Sequence, residues 1–163
     1  MRPGEIQDKN YHFRTEQEFL DKVNRGFFAE WKRYDTEFGP WYYGVAMEDI
    51  VNATDKSVVI LTPAGFRDVC EQMEDAPISV YITAPDDVLL ERQMLRGDDI
   101  NEAKRRFEAD KKDFASITYS MVTEVIKNDG SVPVKEIAKQ ICDLVQMNRE
   151  ETVHDKKRED CEK

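Results

Sequence analysis

The side chains of this chain that could do chemistry are arginines and tyrosines, with one glutamate set in an aromatic segment. Arg92, Arg96, Arg105 and Arg106 fall close together, and Tyr11, Tyr42, Tyr43 and Glu30 lie in the first third. A guanidinium fork grips phosphate oxygens bidentately, and a phenol adds a donor without charge. Other chemistries are poorly supplied. His12 and His154 are the only histidines, so a histidine-based metal site or a Ser/His/Asp triad lacks its positioned base. Cys70, Cys142 and Cys161 form no CxxC pair, which argues against a disulfide framework and a zinc site. Taken alone, each candidate also has a bland reading. Glu30 would be a solvated strand carboxylate, the tyrosines packing residues, and Arg105 and Arg106, among acidic neighbours, i,i+4 surface pairs.

The balance of 24 basic against 34 acidic residues gives a net charge of −10. A chain this acidic has no general affinity for nucleic acid, which depends on neutralising phosphates. An anionic ligand must therefore be met where arginines cluster. At 163 residues the chain suits one ordinary domain. No apolar run approaches the roughly 20 residues that cross a bilayer, and the polar start MRPGEIQDKN has no signal-like core. The expectation is a cytoplasmic protein with no membrane partner.

The elements that must hold these residues read as follows. Thr15-Glu16-Gln17-Glu18 is a capping box ahead of Phe19, Leu20 and Val23 at helical spacing, and Gly26 ends that helix. Phe27 to Tyr34 and Trp41 to Ala46 predict an antiparallel hairpin with its turn at Gly39-Pro40, followed by a short helix from Met47 to about Thr54. Ser57 to Thr62 (SVVILT) and Ile78 to Thr83 (ISVYIT) predict strands buried on both faces, with Thr123 to Lys127 as a third. Helices are expected over Pro63–Met73, Asp87–Leu95, Ile100–Ser116 and Val134–Met147, so the class is α/β with a parallel sheet. Residues 148–163, almost all charged, read as a frayed helical extension or a disordered tail. The seven glycines stand singly and no GxxxxGK[ST] occurs, so this chain contains no phosphate-binding loop.

Four segments in order carry a resemblance: Arg2-Pro3-Gly4-Glu5 followed by Asp8 to Phe13, Phe27-Phe28-Ala29-Glu30-Trp31, Trp41-Tyr42-Tyr43-Gly44, and Leu90 to Gly97 with Lys104-Arg105-Arg106-Phe107. In that order, at nearly the family's spacings, they resemble a guanylate kinase over residues 1–147. The resemblance implies a P-loop nucleoside-monophosphate kinase fold seen here without its first strand and P-loop. It also implies a small antiparallel monophosphate-binding lobe over 1–46 and the remaining core and lid over 47–147. It assigns Arg2, Tyr11 and Tyr43 to the acceptor phosphate and Glu30 to the guanine edge. Arg92, Arg96 and Arg106 go to the transferring phosphoryl group, and Asn128 to the adenine end of the donor. ATP and Mg²⁺ enter as cofactors by this resemblance only, and the small-molecule partner is a nucleoside monophosphate.

Three departures accompany it. The P-loop strand is expected upstream of residue 1. Acidic residues usual in the family are absent from Ile60-Leu61-Thr62, and Val45 stands where a Ser or Thr follows the Tyr-Gly pair. The expected function is phosphoryl transfer from ATP to GMP in the intact family, inactive or incomplete in this chain. A non-catalytic protein-interaction module and a kinase with a different acceptor base are the competing readings. A sheet without its central strand exposes an edge, so self-association is also expected.

Overall fold

The computed structural model describes residues 6–9, 11–36, 39–95 and 100–161. Two compact units emerge, Met1–Asp75 and Ala76–Lys163.

In the first unit, α1 (Glu16–Asn24) begins where its sequence dictates. The Thr15 side chain accepts from the Glu18 amide, and the Glu18 carboxylate accepts from the Thr15 amide at 2.8 Å. This satisfies two donors that a helix start otherwise leaves orphaned. Gly26 closes the helix with φ of +66°, a left-handed conformation that glycine adopts without steric cost.

Strands β1 (Phe28–Thr36) and β2 (Gly39–Ala46) pair antiparallel. The expected turn at Gly39-Pro40 is not there: both residues already pair in β2, with Thr36 and Asp35. Proline has no N–H for a ladder, and the opening residues of a strand are where a sheet accommodates it. Residues 37 and 38, which join the strands, lie outside the described residues.

A register shift separates Phe28, which faces Ala46, from Glu30, which faces Val45. Ala29 is thus an extra residue on β1, and this bulge resets the alternation of side chains along the strand. Phe28 falls on one face with Trp31 and Tyr42; Glu30, Lys32 and Tyr34 share the other with Val45 and Tyr43. Helix α1 covers the first face. The Phe19 ring stacks on Phe28 at 4.5 Å and meets Tyr42 at 5.4 Å, while the Tyr42 hydroxyl donates to Glu16 at 2.9 Å. Gly44 lies beneath that cluster, where a Cβ would sit 2.9 Å from the Phe28 ring. Helices α2 (Met47–Val51) and α3 (Pro63–Cys70) also pack on the hairpin.

The expected strand Ser57–Thr62 does not form. Its backbone is irregular, with Val58 91% and Ile60 96% exposed. An apolar run becomes a buried parallel strand only with neighbours to complete its ladder, and none of the described strands pairs with it. Thr62 instead caps α3, its Oγ1 accepting from the Gly65 amide at 3.3 Å.

The second unit holds the parallel pair β3 (Val80–Thr83) and β4 (Glu124–Lys127), in register from Val80↔Glu124 to Thr83↔Lys127. Helices α4 (Asp86–Leu95) and α5 (Ile100–Phe114) form the connection that parallel strands require. Ala103, Ile126 and Ile137 are buried, and Tyr81 stacks on Phe114 at 5.7 Å. Helix α6 (Val134–Cys161) carries through the charged stretch, the helical of the two forms its composition allows. The class is therefore α/β with a parallel pair and an antiparallel hairpin. None of the described helices is long and apolar enough to cross a membrane.

Candidate functional site

The face of the β1–β2 hairpin that α1 leaves open is where several candidates meet. Register places Lys32 opposite Tyr43 and Glu30 opposite Val45. The loop ahead of α1 adds Tyr11. Asp8 there takes a left-handed φ of +61°, its amide donates to the Tyr11 carbonyl at 2.9 Å, and its carboxylate holds His12 Nδ1 at 2.7 Å. That contact draws the Asp8 carboxyl below the usual range. The tight turn brings the Tyr11 ring edge-on to Tyr43 at 5.8 Å, and Tyr34 meets Tyr43 at the same spacing. The structure thus joins Tyr11 to Tyr43 and sets Glu30 on the same face as Tyr43.

Glu30 differs electrostatically from Asp8, Glu18 and Asp129, whose carboxyls their hydrogen-bond partners draw down. Partial burial raises its carboxyl above the ordinary range, and the charge of Asp68 on α3 adds to that. A backbone hydrogen bond from Val45 and the charge of Lys32 act in the opposite direction. Desolvation is the larger influence. A carboxylate so placed gains from any ligand that presents N–H donors to it.

Lys32 was not among the residues singled out from the sequence. It sits two positions from Glu30, hence on its face, with its Nζ 5.3 Å from the centre of the Tyr34 ring. That alternation was the available signal.

The second unit holds a cavity of about 280 Å³ lined by Ile82, Thr83, Ala84, Leu89, Arg92, Gln93 and Asn128. It lies at the carboxyl ends of β3 and β4, where open α/β sheets take ligands. Arg92 on α4 donates to the Asn128 carbonyl at 2.8 Å and to Asn128 Oδ1 at 3.3 Å. This bidentate grip settles which side-chain atom of Asn128 is the oxygen and leaves its NH₂ group as a donor. The turn after β4 is fixed by Asp129, which accepts from Lys127 at 2.6 Å and from the Ser131 amide at 2.9 Å. These contacts hold the Asp129 carboxyl far below the carboxylate range. Gln93 Oε1 is buried without a partner among the described residues, an acceptor that sequence reading passed over.

Arg92 and Asn128 are therefore brought together in this cavity. Arg106 lies half-buried in α5. Arg2 and Arg96 fall outside the described residues. Among the described residues, no group of three or more His, Cys, Asp or Glu side chains gathers as metal ligands.

A parallel β-pair with crossover helices, an antiparallel hairpin and a cavity at the strand ends make up an α/β fold of the kind that nucleotide kinases share. The guanylate kinase family model matches residues 1–147, and the chain belongs to the guanylate kinase family. It is 34% identical over 105 residues to a guanylate kinase from Wolinella succinogenes, covering 62% of this chain and 47% of that protein. A guanylate kinase from Vibrio vulnificus is 37% identical over 115 residues, covering 67% and 53% respectively. The chain spans about half the length of these curated relatives. The crystal structure of a guanylate kinase from Anaplasma phagocytophilum shares the fold, with a TM-score of 0.63 at 23% identity over 91% of this chain and 69% of that one.

Proposed function

We propose that the open hairpin face binds a purine nucleoside monophosphate, GMP before others, as the acceptor half of an ATP-dependent phosphoryl transfer. Glu30 accepts from the guanine N1–H and exocyclic amine, which lie side by side and return the solvation its carboxylate loses on burial. Tyr11 and Tyr43 donate to the phosphate, with Arg2 as the further partner that the family resemblance assigns. The cavity at the ends of β3 and β4 takes the adenine end of ATP, with Asn128 and Gln93 offering one donor and one acceptor. Arg92, Arg96 and Arg106 stabilise charge on the transferring group. Mg²⁺ would come bound to the nucleotide phosphates, which together with water supply most of its ligands in sites of this kind.

The observation that carries this reading is the desolvated Glu30 on the same face as the Tyr11–Tyr43 pair. Calorimetric titration with GMP, IMP and AMP tests it. GMP is expected to bind roughly tenfold tighter than AMP, because AMP offers no N–H pair to the half-buried Glu30 carboxylate. IMP, which keeps N1–H and lacks the amine, should fall between them. Equal affinity for all three, or none for any, would sink the assignment of Glu30. Transfer itself is read as ADP formed from ATP in the presence of GMP, and little or none is expected from this chain alone, which contains no phosphate-binding loop.

A further inference from the structure

Helix α3 contains a glycine that its backbone does not require. Gly65 is buried in the first turn, and it is not among the positive-φ glycines of the described residues. A glycine in a helix with ordinary dihedrals weakens it relative to alanine, so conformation does not account for it.

Space does. A Cβ at position 65 would lie 2.8 Å from Glu30 Oε2, 3.1 Å from its Cδ and 3.3 Å from its Cγ. All three nearest atoms belong to one side chain, and they run to its carboxylate. Thr62 Oγ1 holds the Gly65 amide, Pro63 is buried at the helix start, and α3 packs on β1. Gly65 is thus pinned against the carboxylate that the proposed function assigns to the base edge.

We propose that Gly65 is a positioning residue for base recognition, its missing methyl forming the seat that fixes where the Glu30 carboxylate points. This rests on Glu30 being the acceptor for the purine edge. The charged groups that bear on Glu30 are Asp68 on α3 and Lys32 on β1, and Val45 on β2 supplies a backbone hydrogen bond. Moving the carboxylate off Gly65 changes its relation to each of them and returns it toward water.

The variant Gly65→Ala separates this role from a structural one. The obstructed group is the free end of a flexible side chain, so the fold should survive while the carboxylate yields. The full chain, labelled at the glutamate carboxyl carbons, is titrated by NMR as wild type and as G65A, with Glu30→Gln identifying the Glu30 resonance. In G65A the Glu30 midpoint should fall toward that of an ordinary glutamate, the melting temperature should be no lower, and GMP should bind roughly tenfold more weakly. A folded G65A whose Glu30 titration matches wild type overturns the proposal. A G65A that no longer folds also overturns it, because something other than the carboxylate would then fill that space. If E30Q binds GMP as well as wild type does, the base-edge role of Glu30 fails, while the NMR titration still decides whether Gly65 seats the carboxylate.

Discussion

The two faces of the β1–β2 hairpin are built from the same strands and do opposite work. On one face, Phe28, Trp31 and Tyr42 meet Phe19 of α1, ring on ring, above a glycine that leaves room for them. On the other, Glu30, Lys32 and Tyr43 carry charge or hydroxyls, with Tyr11 and the glycine of α3 as neighbours. The first face uses aromatic area to hold the lobe together. The second keeps a carboxylate in a place that disfavours its charge. A strand that alternates every second residue can hold a structural surface and a chemical one in the same few positions. The separation is testable because each face should fail in its own way.

The largest effect is expected from Phe28→Ala on the packed face. Truncating a half-buried ring stacked at 4.5 Å should cost about 2–3 kcal/mol, toward the low end for buried phenylalanine, read by chemical denaturation. Nucleotide affinity should fall only as the folded fraction falls. A folded F28A with selectively lost GMP binding would erase the distinction between the faces.

Glu30→Gln is the opposite case. It should weaken GMP by roughly tenfold, about 1.4 kcal/mol, with no loss of stability at neutral pH. The folded Glu30 carboxyl titrates above its ordinary value of 4.5, so the native chain holds that proton more tightly than the unfolded one. The stability Glu30 contributes is therefore present below pH 4.5 and is lost as pH rises through the folded midpoint. Melts of wild type and E30Q across pH 4 to 8 should show wild type losing ground to the variant as pH rises. The reverse trend would mean the carboxylate is stabilised, not strained, by its surroundings.

Thr15→Ala removes the reciprocal cap of α1 and should cost about 1 kcal/mol, visible in the thermal midpoint and absent from GMP affinity once folding is corrected for. The smallest effect is assigned to Tyr43→Phe. Loss of one hydroxyl should weaken GMP by about 0.5 kcal/mol, the low end for a neutral hydrogen bond, and an equal loss for free guanosine would show that the phenol does not serve the phosphate.

Much of this was legible from residue order, for physical reasons that also set the limits. The cap at Thr15, the glycine stop at Gly26, and the aromatic strands are local signals, and they appear where the residues place them. So do β3, β4 and the helices between them, except that β3 begins only at Val80. Ile82 is also 50% exposed where the apolar run predicts burial on both faces, because the described sheet holds just two strands here. The run SVVILT reads as a buried strand because it is apolar and β-branched. A parallel strand, however, exists only through its neighbours, and Val58 and Ile60 lie open to solvent. The hairpin turn was misread because glycine followed by proline marks a turn in general, yet here both are paired. Motif order singles out Glu30, Tyr11 and Tyr43, and the structure sets Tyr11 against Tyr43 with Glu30 on the Tyr43 face. Lys32 could have been found by counting two residues from Glu30. Gly65 could not, since nothing in the sequence says which side chain its missing methyl makes room for.

Ala29 has a consequence of a different sort. Being the residue out of step, it lets Phe28 point toward α1 and Glu30 toward the opposite face although they stand two positions apart. Removing it would make Phe28 and Glu30 consecutive and bring their pairing with Ala46 and Val45 into step, so the two would keep to opposite sides of the strand. Strand β1 should therefore keep its two faces after a single-codon deletion at this position, whereas deletion of Trp31 would set Glu30 and Lys32 on opposite sides.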